Sequence, residues 1–300
     1  MSDPKLNYLP CTDGGPGHRV AFWERGDTRA AHVVVCVHGL SRQGRDFDVL
    51  AQALVERAGG ALRVICPDVV GRGKSDWLTD PQGYQVPFYA GDMLALLAHL
   101  KPQTQTLDWV GTSMGGLIGM AVCGQQQIPL PVPVRRLVLN DVGPVIQWDS
   151  IVRIGLYLGR VVQFDSLQQA ADAMWAVSGS FGPHTPAQWL ELSRHMVKPV
   201  PGSATAVTLH YDPAIAVPFG ALTRETAAQG EAMLWQLYDA IQAQTLLLRG
   251  AESDLLSHET ALQMTARGPK ARLVEFAGVG HAPTLIAADQ VDTVVRFLLD

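Results

Sequence analysis

An α/β fold, with a mainly parallel sheet flanked by helices and an inserted helical cap, is predicted by three features of the 300-residue chain. Between about residues 32 and 142, short apolar β-rich runs alternate with stretches whose apolar residues recur at helical spacing. From 145 to 228 that alternation gives way to an irregular helical pattern rich in Trp, Met, Phe and Pro. It then resumes to the C-terminus, so 1–144 and 229–300 read as one core and 145–228 as an insertion.

His32-Val33-Val34-Val35-Cys36-Val37 is a nearly continuous apolar run, as expected of a parallel strand buried on both faces. The spacing of Leu50, Leu54 and Val55 predicts a helix over 47–58. A strand follows at 63–66, then a helix over 88–100 carrying Met93, Leu94, Leu96 and Leu97. A strand at 107–110, a helix from Met114 and a strand at 137–139 complete this half. Beyond the insertion come a helix near 231–242, a strand at 245–248, a helix over 258–266, a strand at 272–276 and a closing helix over 283–299. His18 to Glu24 reads as an antiparallel edge.

Composition narrows the function classes. Hydrophobic residues make up 47% and charged residues 17%, which suits a sizeable core. A formal charge of −5 gives no basic footprint for nucleic acid. The N-terminal residues lack the basic flank and apolar core of a secretory signal. No run reaches the roughly 18 apolar residues that suggest a membrane span, so membrane insertion is not expected. Cys11, Cys36, Cys66 and Cys123 form no C-x-x-C, and Cys36 and Cys66 lie within strand-like runs, as thiols of a cytoplasmic protein would. The nine histidines show no zinc-type spacing, so neither metal nor other cofactor is expected.

Gly111-Thr112-Ser113-Met114-Gly115 is a G-x-S-x-G sequence between a predicted strand and a predicted helix. A nucleophilic serine needs that setting: small neighbours allow a sharp turn that projects Oγ, and the helix N-terminus offers free N–H groups to developing negative charge. The hydroxyl needs a base, and the base an orienting acid, in the chain order Ser, Asp or Glu, His. Asp254 follows the strand ending at Arg249-Gly250, and His281 follows the last strand, within Gly280-His281-Ala282. Both fall at the sheet edge that carries Ser113, where open α/β sheets place their sites. Asp141, at the end of the preceding strand, is the competing acid.

These residues resemble the α/β-hydrolase superfamily over nearly the whole chain. The family carries His-Gly after its third strand, matched by His38-Gly39-Leu40. The resemblance implies an oxyanion hole of the Leu40 and Met114 backbone N–H groups, and it favours Asp254 over Asp141, because the family's usual acid follows the later strand. Pro67 to Ser75 matches the family's loop after the fourth strand. Its tail, Gly73-Lys74-Ser75, is no Walker A motif, since Asp68 stands where glycine is required. Serine at 113 disfavours dehalogenases and epoxide hydrolases of this fold, which use aspartate there. The expected activity is hydrolysis of small to medium carboxylic esters through an acyl-enzyme, with likeness to bacterial esterases acting on hydroxyacid oligoesters. Carbon–carbon bond hydrolases and non-catalytic receptors of this fold remain alternatives. Arg42 and Arg45 are candidates for a substrate carboxylate. Trp148, Trp175 and Tyr211, with Phe181 and Trp189, are candidates for an apolar pocket. Oligomeric state is left open.

Overall fold

The structure, a computed structural model, describes residues 3–12 and 17–300. It opens on an antiparallel pair, β1 (Lys5–Cys11) and β2 (His18–Gly26). There follow β3 (His32–Val37), α1 (Asp48–Arg57), β4 (Arg63–Pro67), α2 (Val86–Leu100), β5 (Thr106–Thr112), α3 (Met114–Gly124) and β6 (Val134–Asn140). After β6 come α4 (Trp148–Gly155), β7 (Gln163–Phe164), α5 (Leu167–Ser178), α6 (Pro186–Arg194), β8 (Val197–Pro199), β9 (Val207–Leu209) and α7 (Ala216–Gly220). The chain closes with α8 (Arg224–Ala240), β10 (Gln244–Gly250), α9 (His258–Ala266), β11 (Arg272–Phe276) and α10 (Ala288–Leu299).

Eight strands form one sheet in the order β1-β2-β4-β3-β5-β6-β10-β11. Every pair from β4 to β11 along that order is parallel. The apolar run of β3 reflects its position: Val33 to Val37 are fully buried between β4 and β5. Helices α2, α3 and α8 pack over one face and α1 and α10 over the other, each sealing its own apolar cluster. Both faces are thus covered, as a parallel sheet requires.

Four expectations differ from what is observed. The 18–24 segment is not an edge: β2 pairs with both β1 and β4, and β1 is the edge. β1 escaped notice because only Leu9 and Cys11 within it are buried, leaving a weak apolar signal. The closing helix begins at Ala288 rather than 283, since Pro283 to Ala287 are irregular, with Leu285 at φ +59°. The insertion is not wholly helical, for β7, β9 and β8 make a small antiparallel sheet of strands too short for periodicity to reveal. The boundary expected at 228 falls inside α8, whose start is capped by Thr223 and which packs on α3. Among the described residues, no helix is long and apolar enough to cross a membrane.

Candidate active site

The turn from β5 into α3 sets the first functional group. Ser113 sits at φ +53° and ψ −117°, a conformation that side chains rarely adopt, with its hydroxyl at the N-terminus of α3. Two glycines make the turn possible. A Cβ on Gly115 would lie 1.9 Å from the Val37 carbonyl oxygen, and one on Gly111 would lie 2.3 Å from that of Gly115. α3 can therefore approach β3 and β5 closely enough to lift Ser113 above the sheet edge.

His281, on the loop after β11, reaches back over β10. Its Nε2 lies 2.9 Å from Ser113 Oγ and its Nδ1 lies 2.7 Å from Asp141 Oδ2. A carboxylate can only accept, so Nδ1–H donates to Asp141 and Nε2 is left to accept from the serine hydroxyl. Asp141 is fully buried and also accepts from Ser253 Oγ–H at 2.6 Å and from the Gly250 N–H at 2.8 Å. Its φ of +56° turns the carboxylate from the end of β6 toward the histidine.

Asp254 is not the partner of His281. Its carboxylate pairs with Arg153 of α4 at 2.8 Å, and its side chain is 50% exposed. The physical reason lies in the sheet order: β6 adjoins β5, so an acid ending β6 stands beside the nucleophile turn. The His281 loop crosses β10 so closely that a Cβ on Gly250 would meet the Gly280 carbonyl oxygen at 2.3 Å. Asp254, four residues past that crossing, is carried to the rim.

The other expected residues divide. Gly39 brings the His38-Gly39-Leu40 backbone against Ser113, since a Cβ there would touch Ser113 Cβ at 3.6 Å. Leu40, Arg42 and Tyr211 line a largely apolar pocket of about 310 Å³ that Ser113 and His281 also line. Arg42 is held bidentately by Asp46, at 2.6 and 2.8 Å, so most of its hydrogen-bonding capacity is spent within the protein. Arg45, Trp148 and Trp175 do not line the pocket. Arg45 pairs with Asp48 and stacks over Trp23, Trp148 lies under Arg224, and Trp175 packs edge-on against Trp189. The Trp148 and Trp175 rings are both spent on packing outside the pocket, Trp175 while 39% exposed. The expected Phe181 does line the pocket, with Ile154, Tyr157, Leu158, Phe164, Met174 and Arg160.

Sequence reasoning missed Ser253, which orients Asp141, and Asn140, whose Nδ2 donates to the Pro283 carbonyl at 2.8 Å and to Thr112 Oγ1 at 3.0 Å. Neither follows from a motif, because each acts through contacts between segments far apart in the chain. Sequence spacing also missed a buried trio from β1, β2 and α2. One ligand atom each of Cys11, His18 and Asp92 lie within 4.8 Å of one another, a set that could hold a metal ion. His18 Nε2 is hydrogen-bonded to Asp92 Oδ1 at 2.8 Å. The trio stands apart from the Ser113 pocket and takes no part in it.

A profile of the alpha/beta hydrolase family matches residues 34–296. The chain belongs to this family. Across 99% of its length it is 46% identical to a 3-hydroxybutyrate-oligomer hydrolase of Cupriavidus necator, covering 98% of that protein. A crystal structure of an alpha/beta hydrolase from Novosphingobium aromaticivorans superposes with a TM-score of 0.81 at 34% identity, covering 99% of both chains. An esterase from Mycobacterium tuberculosis shares the fold at a TM-score of 0.66 and 20% identity, over 99% of this chain and 91% of that one. The expected α/β-hydrolase fold and the likeness to esterases of hydroxyacid oligoesters are both met.

Proposed function

We propose that the protein is a serine esterase that hydrolyses oligomers of 3-hydroxybutyrate and related small esters through an acyl-enzyme at Ser113. The observation that carries this reading is the His281 imidazole bridging Ser113 Oγ and the buried Asp141 carboxylate at the floor of an apolar pocket. The 46% identity to a 3-hydroxybutyrate-oligomer hydrolase supports this substrate class.

In the first half-reaction His281 Nε2 takes the Ser113 hydroxyl proton as Oγ attacks the ester carbonyl. The tetrahedral oxyanion would face the Leu40 and Met114 N–H groups, donors fixed before the charge appears. Collapse breaks the acyl–oxygen bond, and the imidazolium passes its proton to the departing alkoxide. Water, deprotonated by the same nitrogen, then attacks the acyl carbonyl and releases the acid and free Ser113. Asp141 keeps Nδ1 protonated and stabilises the transient imidazolium. For a hydroxyacid oligomer, each turn yields one new hydroxyl and one new carboxylate.

Residues 145–228 serve in this reading as a cap over the pocket, and Arg42 remains a candidate to meet a substrate carboxylate. The absence of any disulfide among the four cysteines fits the expected cytoplasmic, reducing setting. The test is incubation with 3-hydroxybutyrate trimer, following acid release in a pH-stat. Wild type should release acid and be labelled by a fluorophosphonate, and Ser113→Ala should do neither. Release of acid by Ser113→Ala at the wild-type rate would overturn the nucleophile. Absent ester turnover with fast cleavage of a vinylogous diketone would point to a carbon–carbon hydrolase, and tight binding without turnover to a receptor.

A further inference from the structure

Arg72 lies in the Gly71-Arg72-Gly73 turn after β4 and is fully buried. Among the described residues, its side-chain partners are all uncharged. Nε donates to the Leu40 carbonyl at 2.8 Å. Nη1 donates to the Val70 carbonyl at 2.8 Å and to the Tyr89 hydroxyl at 2.9 Å, and Nη2 lies 3.7 Å from Met114 Sδ. The guanidinium also stacks over the Tyr89 and Tyr84 rings, and the Asp212 carboxylate spends itself on the Tyr84 hydroxyl. The turn itself is strapped to the inserted region, with Gly73 N–H donating to the His210 carbonyl and Asp212 N–H to that of Gly71.

An arginine cannot shed its charge on burial, and a buried cation without an anionic partner is costly to keep. Its dipolar partners offset only part of that cost. Here the cation touches both residues whose N–H groups form the proposed oxyanion hole, one through its carbonyl and the other through its sulfur. A full negative charge arises beside them only while the tetrahedral intermediate exists. We infer that Arg72 is the positioning residue of the oxyanion hole, pinning Leu40 and Met114 from within the core and placing a positive charge behind the developing oxyanion. The inference rests on the esterase reading of Ser113. His38, also in contact with this loop, is consistent with such a field, since after burial and its bond to Gly39 the Arg72 charge is the next influence acting on it, disfavouring its protonation.

The experiment compares wild type, Arg72→Met and Arg72→Lys by thermal melting, by kcat and KM on p-nitrophenyl butyrate, and by binding of two inhibitors. One is an alkyl boronic acid, which forms a tetrahedral anion on a nucleophilic serine; the other is an unreactive ether analogue of the ester. Folded Arg72→Met should lose about 10²–10³-fold in kcat, comparable to loss of one oxyanion donor, with KM little changed. Boronate affinity should fall by a similar factor while ether binding stays as in wild type, and Arg72→Lys should recover part of both losses. A folded Arg72→Met that keeps kcat within about threefold overturns the inference, as does equal weakening of boronate and ether. Should Arg72→Met fail to fold, Arg72→Lys decides by the same criterion: selective weakening of kcat and boronate supports, unchanged kcat or equal weakening overturns. Wild type without ester turnover or fluorophosphonate labelling would remove the esterase reading beneath it, whereas an active wild type with an indifferent Arg72 variant removes only the role of Arg72.

Discussion

Asp141 receives three hydrogen bonds at once, from His281, Ser253 and the Gly250 backbone, in a place that water does not reach. Asp141→Asn should lower kcat/KM on p-nitrophenyl butyrate by about 10⁴-fold, because an amide NH₂ favours the wrong imidazole tautomer. Asp254→Asn should cost less than about tenfold, since its half-exposed pair with Arg153 belongs to the class of surface ion pairs that contribute little. Equal losses in the two variants would contradict the assignment of the acid. His38 yields a second prediction. It is fully buried, with Nε2 accepting from the Val69 N–H and Nδ1 bonded to the Gly39 carbonyl, and burial lowers its pKa to about 3. Between about 6.5 and 3 the unfolded chain takes up a proton here that the native chain refuses, so stability falls as pH falls through that window. His210, lowered by burial to about 4, acts in the same direction. Asp68 acts oppositely: burial raises it to about 6, so acid relieves the native state between about 6 and its ordinary value near 3.8. The histidine windows are wider together, so urea midpoints should decline from pH 7 to pH 4.5. His38→Gln should flatten that decline, and a slope equal to wild type would show that His38 does not titrate this way.

At the scale of elements, the approach of α3 to β3 sets the height of Ser113, the proposed nucleophile. Gly115→Ala would drive a methyl into the Val37 carbonyl, a clash with backbone that no rotamer can relieve. The variant should lose about 3 kcal/mol or more in chemical denaturation, at the upper end of overpacking costs, and should lose fluorophosphonate labelling as the turn opens. Gly59→Ala is the useful contrast, since a Cβ there meets nothing within 4 Å. Its positive φ still carries a modest conformational cost, but the nucleophile turn should be untouched and labelling retained.

Over the whole molecule, the pocket lies between the sheet edge and residues 153–211, and cross-links hold the two in register. Arg153 meets Asp254, His184 Nε2 lies 2.8 Å from Thr284 Oγ1, and Tyr84 donates to Asp212 at 2.5 Å. An apolar pocket of limited volume gains about 0.8 kcal/mol per buried methylene until it is full, and overpacking then opposes further length. Activity along a p-nitrophenyl series should therefore rise from acetate, peak at a moderate acyl length and fall. A steady rise to palmitate would indicate a groove long enough to accept the whole chain.

Chain order and local pattern were sufficient for the parallel core, the turn that presents Ser113, and the placing of His281 after the last strand. Those features depend on neighbours in sequence: apolar runs, glycines flanking a serine, and a strand-to-loop transition. The acid was not legible in this way. Asp141 and Asp254 each follow a strand at the same sheet edge, and only the adjacency of β6 to β5, with the His281 loop crossing β10 at Gly250, decides between them. The pocket walls were legible only in part: Tyr211 and Phe181 line the pocket, whereas Trp148 and Trp175 carry the same chemistry but are drawn into other packing. Local composition says which side chains are able to do chemistry; three-dimensional packing decides which of them meet.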